Sequence, residues 1–274
     1  MSISLRDIGP VMLVGAGKMG LAMAKGWLDA GLPESNLILV DPTPGDHAKA
    51  FAEDYGLQIY AEASGLLPNV LVLAVKPQVI DGVMEQLRPV IGPQTLVLSI
   101  AAGIDIARLV RGTGTGRVVR TMPNTPAQVG KGISGAVAAA DVSAEDKASA
   151  DALLKASGQV VWFGDESDLD ALTAVSGSGP AYVFNMVEAL AAAGEQQGLS
   201  PAIAMQLARQ TVIGAAALME ADPAPAAVLR QNVTSPKGTT AEALAVLMAD
   251  DGLGPLMARA VAAARKRSEE LGRG

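Results

Sequence analysis

Cysteine is absent from this 274-residue chain, and histidine occurs once, at His47. Without cysteine there can be no disulfide, no thiolate metal site and no sulfur nucleophile. One imidazole leaves no histidine cluster either, so no metal is expected. Basic charge is scarce: 21 Lys and Arg stand against 28 Asp and Glu, a net charge of -7. No long stripe of cations supplies the field that a phosphate backbone requires, and nucleic acid is not an expected partner. The longest uncharged stretch, residues 171–187, contains Ser176, Gly177, Ser178, Gly179 and Pro180. That is a poor composition for a bilayer span, so no membrane association is expected. The opening "MSISLRDIGP" carries charges where a secretory leader has its apolar segment, which points to a cytoplasmic protein.

What is present is apolar. Half of the residues are hydrophobic and 18% are charged, the balance of a globular chain long enough for two modest domains. In the first half short apolar runs alternate with helical patterns: "VMLV" at 11, "LILV" at 37, "VLVLAV" at 70, "TLVLSI" at 95 and "RVVRTM" at 117. Continuous apolar runs separated by helices indicate parallel strands covered on both faces, hence an α/β, doubly wound Rossmann-type sheet. After "SGQVVWFG" (157–164) strand signals stop, and caps and breakers at Ser178, Ser200 with Pro201, Pro223 and Thr239 mark helices. The expected division is a dinucleotide-binding domain over 1–166 and an all-helical domain over 167–274, separated in the polar "DESD". Tyr182 and Phe184 read as core.

"VMLVGAGKMG" sets Gly15, Ala16, Gly17, Lys18, Met19 and Gly20 directly after a strand and before a helical run, and Asp41 ends the next strand. That context makes a G-x-G-x-x-G turn a dinucleotide-binding signal, with pyrophosphate expected at the helix start. A carboxylate at Asp41 suits a ribose 2'-hydroxyl and repels a 2'-phosphate, and no arginine follows in "DPTPGDHAKA", so NADH is expected over NADPH. Other strand ends should line the crevice: Ala74, Val75, Lys76 and Pro77; Ala101, Ala102 and Gly103, small enough for a nicotinamide to approach the backbone; and Asn124, held between two prolines as a fixed polar contact.

In the helical half, "SPKGTTAEAL" (235–244) carries more than a helix start needs. Thr239 with Glu242 reads as a capping box, while Ser235, Lys237, Gly238 and Thr240 add two hydroxyls, a cation and an unobstructed backbone. Capping alone explains part of the segment; an anion site explains the remainder. A hydroxyacid dehydrogenase would carry lysine four residues before the asparagine of "SGSGPAYVFN", where this chain has Ala181 before Asn185. Imine reduction asks only for hydride, orientation and a hydrogen-bond partner at nitrogen.

"GAGKMG", "AVKP", "SIAAG", "MPNTP", "SGSGPAY" and "NVTSPKGTTAEAL", in this order and over essentially the whole chain, resemble the Δ1-pyrroline-5-carboxylate reductase family, which catalyses the last step of proline biosynthesis. The resemblance implies that Ser235 and the amides around Gly238 and Thr239 hold the substrate carboxylate, that Thr240 is the catalytic hydroxyl facing the ring nitrogen, and that Asn232 lies beside the cofactor. It further implies homodimers with interlocked helices, possibly assembled into larger rings, and a frequent preference for NADPH from which Asp41 departs. Another imine or keto-acid reductase of this architecture, or a non-catalytic NAD(P) sensor, is the alternative.

Overall fold

A computed structural model describes residues 3–272. Its centre is an eight-stranded sheet: β1 (Val11–Val14), β2 (Leu37–Val40), β3 (Ile59–Tyr60), β4 (Val70–Leu73), β5 (Leu96–Ser99), β6 (Val118–Met122), β7 (Gly132–Ala138) and β8 (Gly158–Trp162), in the order β3-β2-β1-β4-β5-β6-β7-β8. The order reverses between β2 and β4 around β1, which places the topological switch point beside the glycine turn. Alternate residues feed opposite faces of the sheet. Leu13, Leu39, Val72 and Leu98 pack into one core with Trp27, and Met12, Leu71, Leu73 and Val97 into the other. Trp27 is fully buried, and its indole N–H donates to the carbonyl of Leu153 at 2.9 Å.

The strands from β1 to β6 run parallel, as the apolar runs predict. Two strands escape that reading. β3 is two residues long, and β7, "GISGAVA", has no continuous apolar run and pairs antiparallel with β6. Its glycines are there for contact. A Cβ on Gly158 of β8 would lie 1.9 Å from the Gly132 carbonyl oxygen, so these two backbones approach more closely than side chains would allow.

The helices are α1 (Lys18–Asp29), α2 (Asp46–Asp54), α3 (Ile80–Leu87), α4 (Ile106–Thr113), α5 (Ala144–Lys155), α6 (Asp168–Leu172), α7 (Gly179–Gln196), α8 (Pro201–Ala221), α9 (Ala226–Asn232), α10 (Thr239–Leu247) and α11 (Leu253–Gly272), with a wider π-turn at Thr173–Gly177. Contacts divide the chain into Met1–Gly177 with Arg265–Gly274, and Ser178–Ala264. The compositional boundary at 166 falls earlier, because α6 sends Leu169 and Leu172 onto Gly135 of β7.

The second unit is all helix, and its own core is small: Ala191, Ala204 and Ala208, with Val187 half-buried, where α7 packs on α8. Phe184, read as core, is 66% exposed in the single chain. Among the described residues α8 has the length and hydropathy to cross a membrane, with 11% of that stretch buried, although it carries Arg209. Helix starts also differ from expectation. Ser178 and Ser200 sit at cap positions ahead of Pro180 and Pro201, but neither side chain makes a cap hydrogen bond.

Candidate active site

In the first unit the glycine turn is shaped by contacts that a side chain would destroy. Gly15 has φ +95°, its N–H donates to Val40 at 2.9 Å, and a Cβ there would stand 2.7 Å from the Ala74 carbonyl oxygen. A Cβ on Gly20 would meet the Gly15 carbonyl oxygen at 2.6 Å, so this glycine is needed for close packing of helix on turn. Gly17 differs: nothing lies within 4 Å of its absent Cβ. The open space is over the N-cap of α1, where no side chain caps the helix, so the first amides, at Lys18 and Met19, keep their capacity for an anion. These features fit a dinucleotide pyrophosphate.

Asp41, at the end of β2, accepts the Ala16 N–H with Oδ2 and the Thr43 N–H with Oδ1, both at 2.9 Å. The carboxylate thus ties the glycine turn to the loop after β2, with lone pairs still free for a ribose hydroxyl. Ala74 and Val75 are half-buried beyond β4. Lys76 is exposed and precedes a short turn opened by Pro77.

The remaining strand ends are more occupied than their composition suggests. Ala101 is buried, with its N–H on Ser99 Oγ at 3.3 Å, and Ala102 is exposed. Gly103 has φ +73°, and a Cβ there would be 3.0 Å from the Leu271 carbonyl oxygen, so its smallness also serves the end of α11. Asn124 is 7% exposed; its amide donates to Ser176 O at 3.0 Å and accepts from Ile133 N at 2.9 Å. It is a fixed polar contact, made here to the protein itself. Sequence reasoning passed over Arg120, which pairs with Glu166 at 2.6 Å, while Glu166 accepts the Ile106 N–H at the start of α4. A lone arginine within an apolar strand was the available signal.

In the second unit, Ser235, Pro236, Lys237 and Gly238 form a tight turn closed by the Gly238 N–H on the Ser235 carbonyl at 3.0 Å. Lys237, at φ 58°, is the one described residue other than glycine with positive φ. The expected capping box is overturned. Gly238 is the N-cap of α10, Thr239 is already helical, and no side chain caps the helix. Its first amides are therefore left available beside the half-buried Thr240 and the exposed Ser235 and Thr239. Asn232 is exposed, ending α9 just before this turn.

Residues 166–271 match the family described as pyrroline-5-carboxylate reductase dimerisation, and residues 10–103 match NADP oxidoreductase, coenzyme F420-dependent. A pyrroline-5-carboxylate reductase of Pseudomonas aeruginosa is 40% identical over 264 residues, covering 95% of this chain and 96% of the relative. The chain belongs to the pyrroline-5-carboxylate reductase family. A solved reductase from Coxiella burnetii superposes with TM-score 0.90 at 34% identity, covering 97% and 99% of the two chains. The Plasmodium falciparum enzyme, solved with NADP bound, gives 0.81 at 30%, covering 97% of this chain and 99% of its own. For a reductase of this family the exposed Phe184, Leu207, Ile213 and Leu218 have a ready explanation, since they lie on a dimerisation domain that self-associates.

Proposed function

We infer that this protein is an NAD(P)H-dependent oxidoreductase that reduces Δ1-pyrroline-5-carboxylate to L-proline, completing proline biosynthesis in the cytoplasm. The observation that carries the reading is the setting of two helix starts among those without a side-chain cap: α1 behind an open Gly17 in the glycine turn, and α10 behind a tight 235–238 turn. One start suits a pyrophosphate and the other a carboxylate. When bound, the reduced nicotinamide supplies a hydride to the imine carbon, and solvent meets the proton balance at nitrogen. The chain's own work is positional. The amides at the start of α10, around Gly238 and Thr239, with the Ser235 hydroxyl, hold the substrate carboxylate. The Thr240 hydroxyl hydrogen-bonds the ring nitrogen, and Asn232 lies beside the cofactor.

On the cofactor side, the turn of Gly15 to Gly20, the strand ends at Ala74 to Pro77 and Ala101 to Gly103, and Asn124 form the crevice. The anchored carboxylate of Asp41 favours NADH over NADPH, since it can accept a 2'-hydroxyl and opposes a 2'-phosphate. The active unit is a homodimer built through the helical domain, able to assemble into a larger ring. Oxidation of NADH and NADPH followed with pyrroline-5-carboxylate, pyrroline-2-carboxylate and small keto acids tests the reading. Turnover is expected on the first substrate, and its absence there refutes the assignment.

A further inference from the structure

We propose that the last turn of α11 is a strut behind the cofactor loop, with Ser268 a positioning residue for the dinucleotide. The inference rests on the reading of residues 101–103 as part of the cofactor crevice. That loop leaves β5 after the buried Ser99 and is fixed along its length. Ala101 is held by Ser99 Oγ; Asp105 caps α4 by accepting the Arg108 N–H; and Glu166, paired with Arg120, holds the Ile106 N–H. Gly103, between these anchors, has no side chain. It is backed instead by the Leu271 carbonyl oxygen, 3.0 Å from where a Cβ would stand. Leu271 itself is 56% exposed, so its side chain does not secure this contact.

The helix end is held in place by polar chemistry. Ser268 Oγ donates to Asp170 Oδ1 of α6 at 2.6 Å, one turn before Leu271. Around this bond Gly103, Asp105, Arg120, Glu166, Asp170 and Glu269 line a cleft of about 400 Å³, so little else fills the space beneath the loop. Along the helix surface Arg265 pairs with Glu269 and Arg267 with Glu270. The Ser268–Asp170 bond ties this end of the helix to α6, and the carbonyls just beyond it set how far the 101–103 loop can recede. Between the buried Ala101 and Ile104, Ala102 and Gly103 place no side chain in the core, and backing of this kind lets a flat ring find the same surface at each turnover.

Ser268→Ala and Asp170→Ala, assayed in the full-length enzyme, are expected to raise Kd and KM for the dinucleotide roughly threefold to tenfold, leaving kcat and the imine KM within about twofold. Asp170→Asn keeps an acceptor and is expected to restore most of the affinity. A merely structural role would lower the fraction of active enzyme, hence kcat, without this selective change. Unchanged dinucleotide affinity in both alanine variants, or no rescue by asparagine, overturns the proposal. Gly15→Ala separates the two readings, because a Cβ there strikes the Ala74 carbonyl. If that variant binds dinucleotide normally, the crevice itself has been misplaced. If it loses binding while Ser268→Ala does not, only the strut fails.

Discussion

Replacing Asp41 by asparagine keeps the shape of the side chain and removes its charge. The native carboxylate accepts two backbone N–H groups, from Ala16 and Thr43, each at 2.9 Å. Asparagine offers one oxygen, so one of these amides faces an NH2 group, a loss of about 1 kcal/mol. For a 2'-phosphate the change works the other way. Two unit charges about 5 Å apart at an effective dielectric near 20 repel by roughly 3 kcal/mol. Asp41 is only half-buried, so screening reduces this to about 1.5–2 kcal/mol, a factor of roughly ten to thirty. Asp41→Asn is therefore expected to raise the ratio of kcat/KM with NADPH to that with NADH by at least about tenfold, while lowering Tm by a few degrees. Initial rates with each cofactor at fixed low salt, beside a thermal melt, measure both. An unchanged ratio would refute the placement of Asp41 beside the ribose. A lowered Tm with no change in ratio would leave it as a staple of the glycine turn and nothing more.

Four other substitutions test separate parts of the molecule. Thr240→Val, in the first turn of a helix capped by Gly238, is expected to shift stability by only about a few tenths of a kcal/mol yet to lower kcat/KM about tenfold or more, whereas Ser235→Ala should act mainly on KM. Unchanged kcat/KM in Thr240→Val removes the threonine from catalysis. Phe184→Glu, at a position 66% exposed in the single chain, is expected to weaken self-association by roughly 2–4 kcal/mol per copy and to shift sedimentation towards monomer; a dimer of native strength places Phe184 outside the interface. Asp151 is pushed up by partial burial, but hydrogen bonds from Lys155 at 2.7 Å and the Trp162 indole at 3.0 Å win, and its carboxyl is held below the usual range. A group lowered on folding stabilises above its unfolded pKa and loses that contribution as pH falls through the folded value. The Tm deficit of Asp151→Asn should accordingly be present at pH 7 and vanish in acid, and a deficit that persists at low pH contradicts this origin.

The central strands were legible because β1, β2, β4 and β5 are short continuous apolar runs and a buried parallel sheet needs nothing else. β7 was not, since its pairing depends on Gly132 and Gly158 lying almost back to back, a relation between residues far apart in the chain. The glycine turn and Asp41 were legible because their spacing is local. Asn124 was legible as a fixed polar group, but its partners, Ser176 and Ile133, are set by tertiary contact. The start of α10 shows the same limit over a shorter distance. Thr239 has the composition of a cap, yet Lys237 adopts positive φ, the chain turns one residue earlier, and Gly238 takes the position. Intrinsic preference favours threonine over glycine at that site by only a few tenths of a kcal/mol, less than the turn preceding it can impose.

The two units have unequal means of stability. The first buries both faces of its sheet under Trp27, Leu13, Leu39, Met12 and Leu98, enough apolar surface to fold independently of assembly. The second buries three alanines and leaves Phe184, Leu207, Ile213, Leu218 and Val246 in contact with solvent. At about 25 cal/mol per Å² those side chains are worth several kcal/mol once covered, and only association covers them. Folding of the helical unit is therefore linked to protein concentration in a way that folding of the sheet is not. The turn of residues 235–238 and the start of α10 belong to the concentration-dependent unit, the glycine turn to the independent one. On the proposed placement of the two sites, dissociation is expected to remove the imine site before the dinucleotide site. Phe184→Glu is therefore expected to lose turnover while still binding NADH, and simultaneous loss of both would show that the sheet depends on the dimer as well.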